Sequence, residues 1–169
     1  MKKALKTVVI LIVVIAIGFV AIKLITTPKS AEIGETVKYA NNGEFVVNDI
    51  TVYNDALEMF ADGYRFSEVK DDEGLIMVDF TMKNTGKIDF DVEPKVIVNY
   101  DNGVEFTSEY LFHKTSTGSF ELCQNGFLLE KVTSDAETFV VVVPVPQQVI
   151  ENEDKSLEVE VYYKNYIIR

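Results

Sequence analysis

One cysteine, one histidine and no tryptophan occur in 169 residues. Cys123 alone excludes an intrachain disulfide, and with His113 as the single imidazole no zinc centre can be assembled from Cys and His ligands. Acid is missing from the start of the chain: every one of the 27 carboxylates lies after Ser30. Setting Lys2, Lys3, Lys6, Lys23 and Lys29 aside from the 16 basic residues leaves 11, so residues 30–169 hold a net charge of 11 minus 27, or −16. Such a stretch repels nucleic acid and anionic lipid; its plainest partners are cations, basic protein surfaces or neutral glycans. Internal repeats and low-complexity tracts are also missing. What is present is an apolar content of 47%, enough for a core.

The N-terminus "MKKALKTVVILIVVIAIGFVAIKLITT" has a basic start and no charge from Thr7 to Ile22. That run reaches about 24 Å as a helix, short of a hydrocarbon core of roughly 30 Å. Snorkelling by Lys23 lets Leu24 and Ile25 extend it, giving a membrane contact through residues 7–25. A secretory signal would need a small-x-small cleavage site. Lys29-Ser30-Ala31 places a lysine there, and Ala16-Ile17-Gly18 sits inside the apolar run. No lipobox cysteine follows the run, and Lys23 stands where a pilin-like segment carries glutamate. The balance favours a retained transmembrane helix at 1–27 over a cleaved signal. Lys2, Lys3 and Lys6 favour an inside N-terminus and an extracytoplasmic domain, against the competing Lys23, Lys29 and Lys38. Residues 28–43 read as a stalk and 44–169 as the folded domain.

Within the domain, period-two alternation predicts strands. "GEFVVNDITVY" (43–53) is strand-like, and "GLIMVDFTMK" (74–83) sets Ile76, Val78, Phe80 and Met82 on one face. After Asn84-Thr85-Gly86, "KIDFDV" alternates again. Asn102-Gly103 marks a hairpin within residues 95–110. "ETFVVVVPV" reads as a central strand ended by Pro144 and Pro146. "SLEVEVYYKNYII" reads as one closing strand with Leu157, Val159, Val161 and Tyr163 inward. "NDALEMFADGYRF" breaks the period: Leu57, Phe60, Ala61 and Tyr64 form a helical stripe after an Asn54/Asp55 cap. Residues 107–133 read as a long loop with a short strand or helical turn. The sum is an all-β, two-sheet antiparallel sandwich.

The stretch "GLIMVDFTMKNTGKIDFDV", a following hairpin, "SDAETFVVVVPVP" and a final alternating strand resemble the immunoglobulin-like extracellular domains of Gram-positive bacterial surface proteins and lipoproteins. That family is of unknown function and similar in fold to a secreted mycobacterial immunogenic sandwich protein. The matching features are Lys83, Asn84 and Gly86 at a strand end and Val143-Pro144 late in the chain, over about residues 43–163. The resemblance implies an immunoglobulin-like sandwich at a cell surface and brings no catalytic residues. This chain departs from many members in lacking the lipobox.

Few residues invite a chemical reading. Asp89, Asp91 and Glu93 alternate on one strand face about 6.6–7 Å apart, too far to chelate one ion, and read as a solvated face. Asp71-Asp72-Glu73 can wrap calcium as a loop but lacks the spacing of a calcium-binding loop. His113 lies near Ser116 and Ser119 without a nucleophile elbow or oxyanion loop, so it reads as an ordinary loop histidine. Cys123 reads as a small apolar residue, because a reactive thiol needs an electropositive setting. Tyr110, Phe112 and Phe120, with Phe127, pack a loop more often than they cage a ligand. Together with His113, Tyr110, Phe112 and Phe120 are nevertheless the nominated partner-binding surface.

These readings give a non-enzymatic, membrane-tethered extracytoplasmic binding or scaffolding module with no cofactor, metal or catalytic residue. The alternative is a secreted soluble effector or enzyme inhibitor released by signal cleavage. With one cysteine, the unfolding midpoint in denaturant is expected to be the same with and without reductant; a shift on reduction would reveal a covalent link between chains.

Overall fold

The structure, a computed structural model, describes residues 28–39, 43–64, 70, 72–84, 94–101, 103–107, 110–123, 136–161 and 164–169. The apolar segment 7–25, the carboxylates Asp89, Asp91 and Glu93, and Asp71, Tyr163 and Phe127 lie outside them. Among the described residues no helix is long and apolar enough to cross a membrane.

Alternation sorts the chain into two stacked sheets. One holds five strands in the order β1 (Lys29–Ala31), β11 (Lys164–Ile168), β10 (Ser156–Val161), β5 (Lys95–Tyr100) and β6 (Val104–Thr107). The other holds six, ordered β2 (Thr36–Tyr39), β3 (Gly43–Tyr53), β4 (Glu73–Asn84), β9 (Glu137–Pro146), β7 (Tyr110–Lys114) and β8 (Phe120–Leu122). All described pairings are antiparallel except β1 with β11, which is parallel. The expected all-β, two-sheet sandwich is therefore the fold.

The core lies between the sheets. Phe45, Val47, Phe80, Phe139, Val141 and Val143 of the larger sheet face Val96, Val98, Val159, Val161 and Tyr166 of the smaller, all buried. Phe80 and Phe139, opposite each other in the register, stack with ring centroids 5.8 Å apart. A bulge between Val47 and Asp49 inserts one residue into β3, which keeps Phe45 and Val47, then Ile50, on the core side.

Several sequence expectations are corrected. Residues 28–39 are not a stalk: β1 completes one sheet and β2 the other, because Ala31 and Tyr39 bury their side chains in the core. The closing segment is not one strand. Val161 pairs with Lys164, so β10 folds back as β11 and each strand stays as short as the sheet is wide. Pro144 and Pro146 do not end β9. Past Val142 β7 no longer pairs with it, so two missing N–H donors leave no neighbour unsatisfied on that side. The 107–133 segment contains an ordered hairpin, β7–β8, as far as it is described. The hairpin expected around Gly103 joins β5 to β6 through residues 101–103.

Among the described residues two short helices interrupt the strands. α1 (Ala56–Ala61) begins at Asp55, whose carboxylate accepts from the N–H of Leu57 (2.8 Å) and Glu58 (2.9 Å), while Glu58 accepts from Asn54 N–H at 2.8 Å. The expected helix is present, but its inward residue is Met59, fully buried, and Leu57 is 74% exposed. The cap at Asp55 sets the phase, and a helix this short buries only one position. α2 (Gln147–Glu151) follows β9 directly, and its end is closed by Lys155, whose ammonium donates to the carbonyls of Ile150 (2.9 Å) and Asn152 (2.7 Å).

Phe80→Ala is expected to cost about 3–5 kcal/mol in chemical unfolding, since it empties the middle of the core. Gly74→Ala is expected to cost about 1–3 kcal/mol. Its Cβ would stand 2.9 Å from the Tyr53 carbonyl oxygen, which as backbone cannot swing aside, and 2.6 Å from Ile150 Cγ1.

Candidate functional site

The two outward faces of the sandwich differ in kind. On the five-stranded sheet the outer face mixes Ile97 and Ile167 with polar residues, and Glu158 between them accepts from Asn99 (2.9 Å) and Asn165 (3.2 Å). On the six-stranded sheet Tyr53, Leu75, Met77, Val140 and Val142 point outward yet are buried. Their cover is Met59 of α1, with Tyr64, Tyr110, Phe112 and Phe120 packed around it. A second, smaller apolar cluster thus sits outside the sandwich.

The cover is incomplete. Between the end of α1 and the β7–β8 hairpin a hollow of ≈ 330 Å³ remains, within the size range of ligand pockets. Val142 and Phe112 lie under it, Met59, Gly63 and Tyr64 line one side, and Gly118, Ser119 and Phe120 line the other. Both glycines have left-handed backbones, Gly63 with φ 91° after the helix and Gly118 with φ 82° in the hairpin turn. That turn is fixed by Thr115 N–H donating to Ser119 O at 2.8 Å and Gly118 N–H to Thr115 O at 2.9 Å. The two walls touch at the Tyr64 and Phe120 rings, whose centroids are 4.6 Å apart. Lys114 lies above Phe120, its Nζ 5.8 Å from the ring centroid.

One flank of the groove is acidic. The Tyr53 hydroxyl donates to Asp62 at 2.9 Å, just past α1. Burial holds the Tyr64 hydroxyl above the ordinary tyrosine range, and the charges of Asp79, Asp62 and Asp49 push it further the same way. Burial also raises Tyr53, reinforced by its bond to Asp62.

The nominated residues divide between the faces. Phe112 and Phe120 meet at the groove. Tyr110 packs on the same outer cluster but opens onto a neighbouring hollow of ≈ 400 Å³ with Glu105 and Pro144. His113 is not with them, and it is not a loop residue. β7 turns it inward beside Leu111, leaving His113 6% exposed with its ring 5.3 Å from that of Phe139. Its Nε2 lies 2.9 Å from Glu137 Oε2, so Nε2 donates to the carboxylate, and Nδ1 is buried with no hydrogen-bond partner among the described residues. Ser119 is on the opposite side of the sheet, so the two form no nucleophile–base pair. Sequence reasoning missed Met59, Gly63, Gly118 and Ser119 as groove residues; the glycines after a helix and in a hairpin were the available signal. Glu73, from the proposed calcium loop, is engaged by Lys70 through its Nζ at 3.0 Å and its N–H at 3.2 Å, which lowers its pKa. Among the described residues no group of three or more His, Cys, Asp or Glu is placed to hold a metal ion.

No family model matches the chain, and a search of curated proteins gives no match. Among solved structures it is similar to an uncharacterized β-sandwich protein from Clostridium difficile, at 17% identity and a TM-score of 0.57, covering 84% of this chain and 95% of that one. At that identity the likeness is one of fold.

The tyrosine shifts give a pH dependence with a definite sign. Unfolded tyrosine ionises near 10.0, and folded Tyr53 and Tyr64 do so at higher pH. Their contribution to stability is complete below pH 10 and is lost as pH rises past it. Tyr53→Phe with Tyr64→Phe is expected to flatten the alkaline fall in the denaturant midpoint; an unchanged alkaline limb would place its cause elsewhere.

Proposed function

We propose that the protein is a non-enzymatic binding module of immunoglobulin-like type, tethered by residues 7–25 on the extracytoplasmic side of a membrane. Partners dock in the groove between α1 and the β7–β8 hairpin. The observation that carries this reading is the incomplete cover of an apolar outer face: Phe112, Phe120 and Tyr64 present aromatic area over central strands that are apolar on both faces. Rigid aromatic groups over a fixed floor are what recognition surfaces use. Among the described residues the groove offers contact area without a base beside Ser119, which favours docking over acyl-transfer chemistry.

The tether reading is tested by fractionation. The full-length chain should sediment with membranes and resist high-salt extraction, because apolar burial is insensitive to screening. Recovery from the medium as a chain starting near residue 30 would favour the secreted effector or inhibitor instead. Protease added to wall-stripped cells should degrade the domain; protection would reverse the orientation.

The docking reading is tested by crosslinking in intact cells. Replacing Phe112 and Phe120 with Ser should abolish capture of the partner, at a stability cost of about 1–3 kcal/mol for the pair of half-buried rings. Capture by the double variant at the wild-type level would remove the groove from the function.

A further inference from the structure

We propose that the groove's occupant is a basic peptide: an extended segment of a partner protein whose lysine or arginine lies over Asp49 and Asp79 and whose next apolar side chain enters between Phe112, Phe120 and Tyr64. This rests on reading the groove as a docking site and adds the chemistry of what docks.

The fold keeps two like charges opposed. The register sets Asp49 directly opposite Asp79 on the outer face of β3 and β4. Opposed like charges across a strand pair are destabilising. The bulge creates the opposition, since continuing the register from Val47↔Phe80 without it would bring Asn48 opposite Asp79. The donors that compensate among the described residues are neutral: Asn48 Nδ2 donates to Asp79 Oδ1 at 2.6 Å and Thr51 Oγ1 to Asp49 Oδ2 at 3.2 Å. Among the described residues no lysine or arginine is within ion-pair distance of Asp49, Asp62 or Asp79. A cationic side chain from outside would relieve the repulsion, so binding recovers what the free protein forgoes.

The order of side chains across the sheet also suits a peptide. Successive registers align Asp49, Asp79, Val140, Phe112 and Leu122 in one outer row. At about 4.8 Å between strands the row is about 19 Å long, with two carboxylates at one end and apolar groups at the other. An extended peptide laid along it presents positions i and i+4 on the same side about 13 Å apart. That spans the distance from the carboxylate pair to the aromatic hollow. Lys114, over Phe120 on the far wall, repels a cation there and so fixes which way the peptide lies. A single metal ion fits less well. Asp62 already accepts from the Tyr53 hydroxyl, and the Tyr53 backbone lies four residues along β3 from Asp49, about 13 Å away.

The test selects a random 12-residue displayed peptide library on the full-length chain in detergent micelles. Ser119→Trp, which fills the groove from its exposed wall, serves for counter-selection once circular dichroism shows it folded, with Phe120→Ser as a second blocked variant. Enriched peptides are expected to carry Lys or Arg with an aromatic residue or Leu about four positions away. Their binding should weaken several-fold between about 50 and 300 mM salt and about tenfold or more in the Asp49→Asn/Asp79→Asn chain. Free Asp49→Asn should melt about 1–4 °C higher. Neutral or acidic peptides that both blocked variants reject would overturn the basic occupant and leave the groove as a docking site. Enrichment only of peptides that the blocked variants still bind would overturn both. Calcium raising the melting temperature of the wild type but not of Asp49→Asn would overturn the peptide in favour of an ion.

Discussion

β9 is apolar on both faces, and the rest of the molecule answers to that. Phe139, Val141, Val143 and Val145 point to one side and Val140 and Val142 to the other, all buried. One opposing sheet covers only half of such a strand. The second half needs its own layer, and the chain supplies it from α1 and the β7–β8 hairpin, elements too small to close the surface between them. The groove is what is left over. Its walls are consequently held by the same packing that stabilises the sheet beneath, which ties the geometry of the site to the stability of the fold.

The charge distribution follows the same division. Where the five-stranded sheet meets solvent, carboxylates are shared among neutral amides, as Glu158 is between Asn99 and Asn165. On the six-stranded sheet the carboxylates sit beside an apolar surface, and the nearby tyrosine hydroxyls register them. An acid group at the margin of a half-covered hydrophobic face acts differently from one on a solvated strand, because the adjacent low-polarity surface screens it less.

How much of this could be read from the sequence depends on whether the signal was local. The alternation of β4 and the unbroken run of β9 state their burial directly, and the sandwich follows from them. The aromatic nominees Phe112 and Phe120 were legible as residues in search of a surface. His113 was not legible: a five-residue strand decides its side by register with β9, which sets it opposite Phe139, and its hydrogen bond to Glu137 spans 24 residues. Met59 was hidden because a six-residue helix carries several plausible stripes, and the capping residue chose among them. The opposition of Asp49 and Asp79 required both a bulge and a cross-strand pairing, neither of which has a one-dimensional signature.

The first described strands have a mechanical meaning. β1 closes the edge of one sheet and, after a turn in which Glu35 N–H donates to Glu32 O at 3.0 Å, β2 closes the edge of the other. Within that turn Ile33 N–H reaches Arg169 O at 3.2 Å and Gly34 N–H reaches Val47 O at 2.8 Å, so the stitch is fastened to both layers. Tension arriving along the chain at residue 28 draws β1 lengthwise past its parallel neighbour. The hydrogen bonds of that pair then bear the load in shear, together, instead of peeling one after another. Behind them the turn passes any remaining pull to β2, in the other sheet, as a second latch.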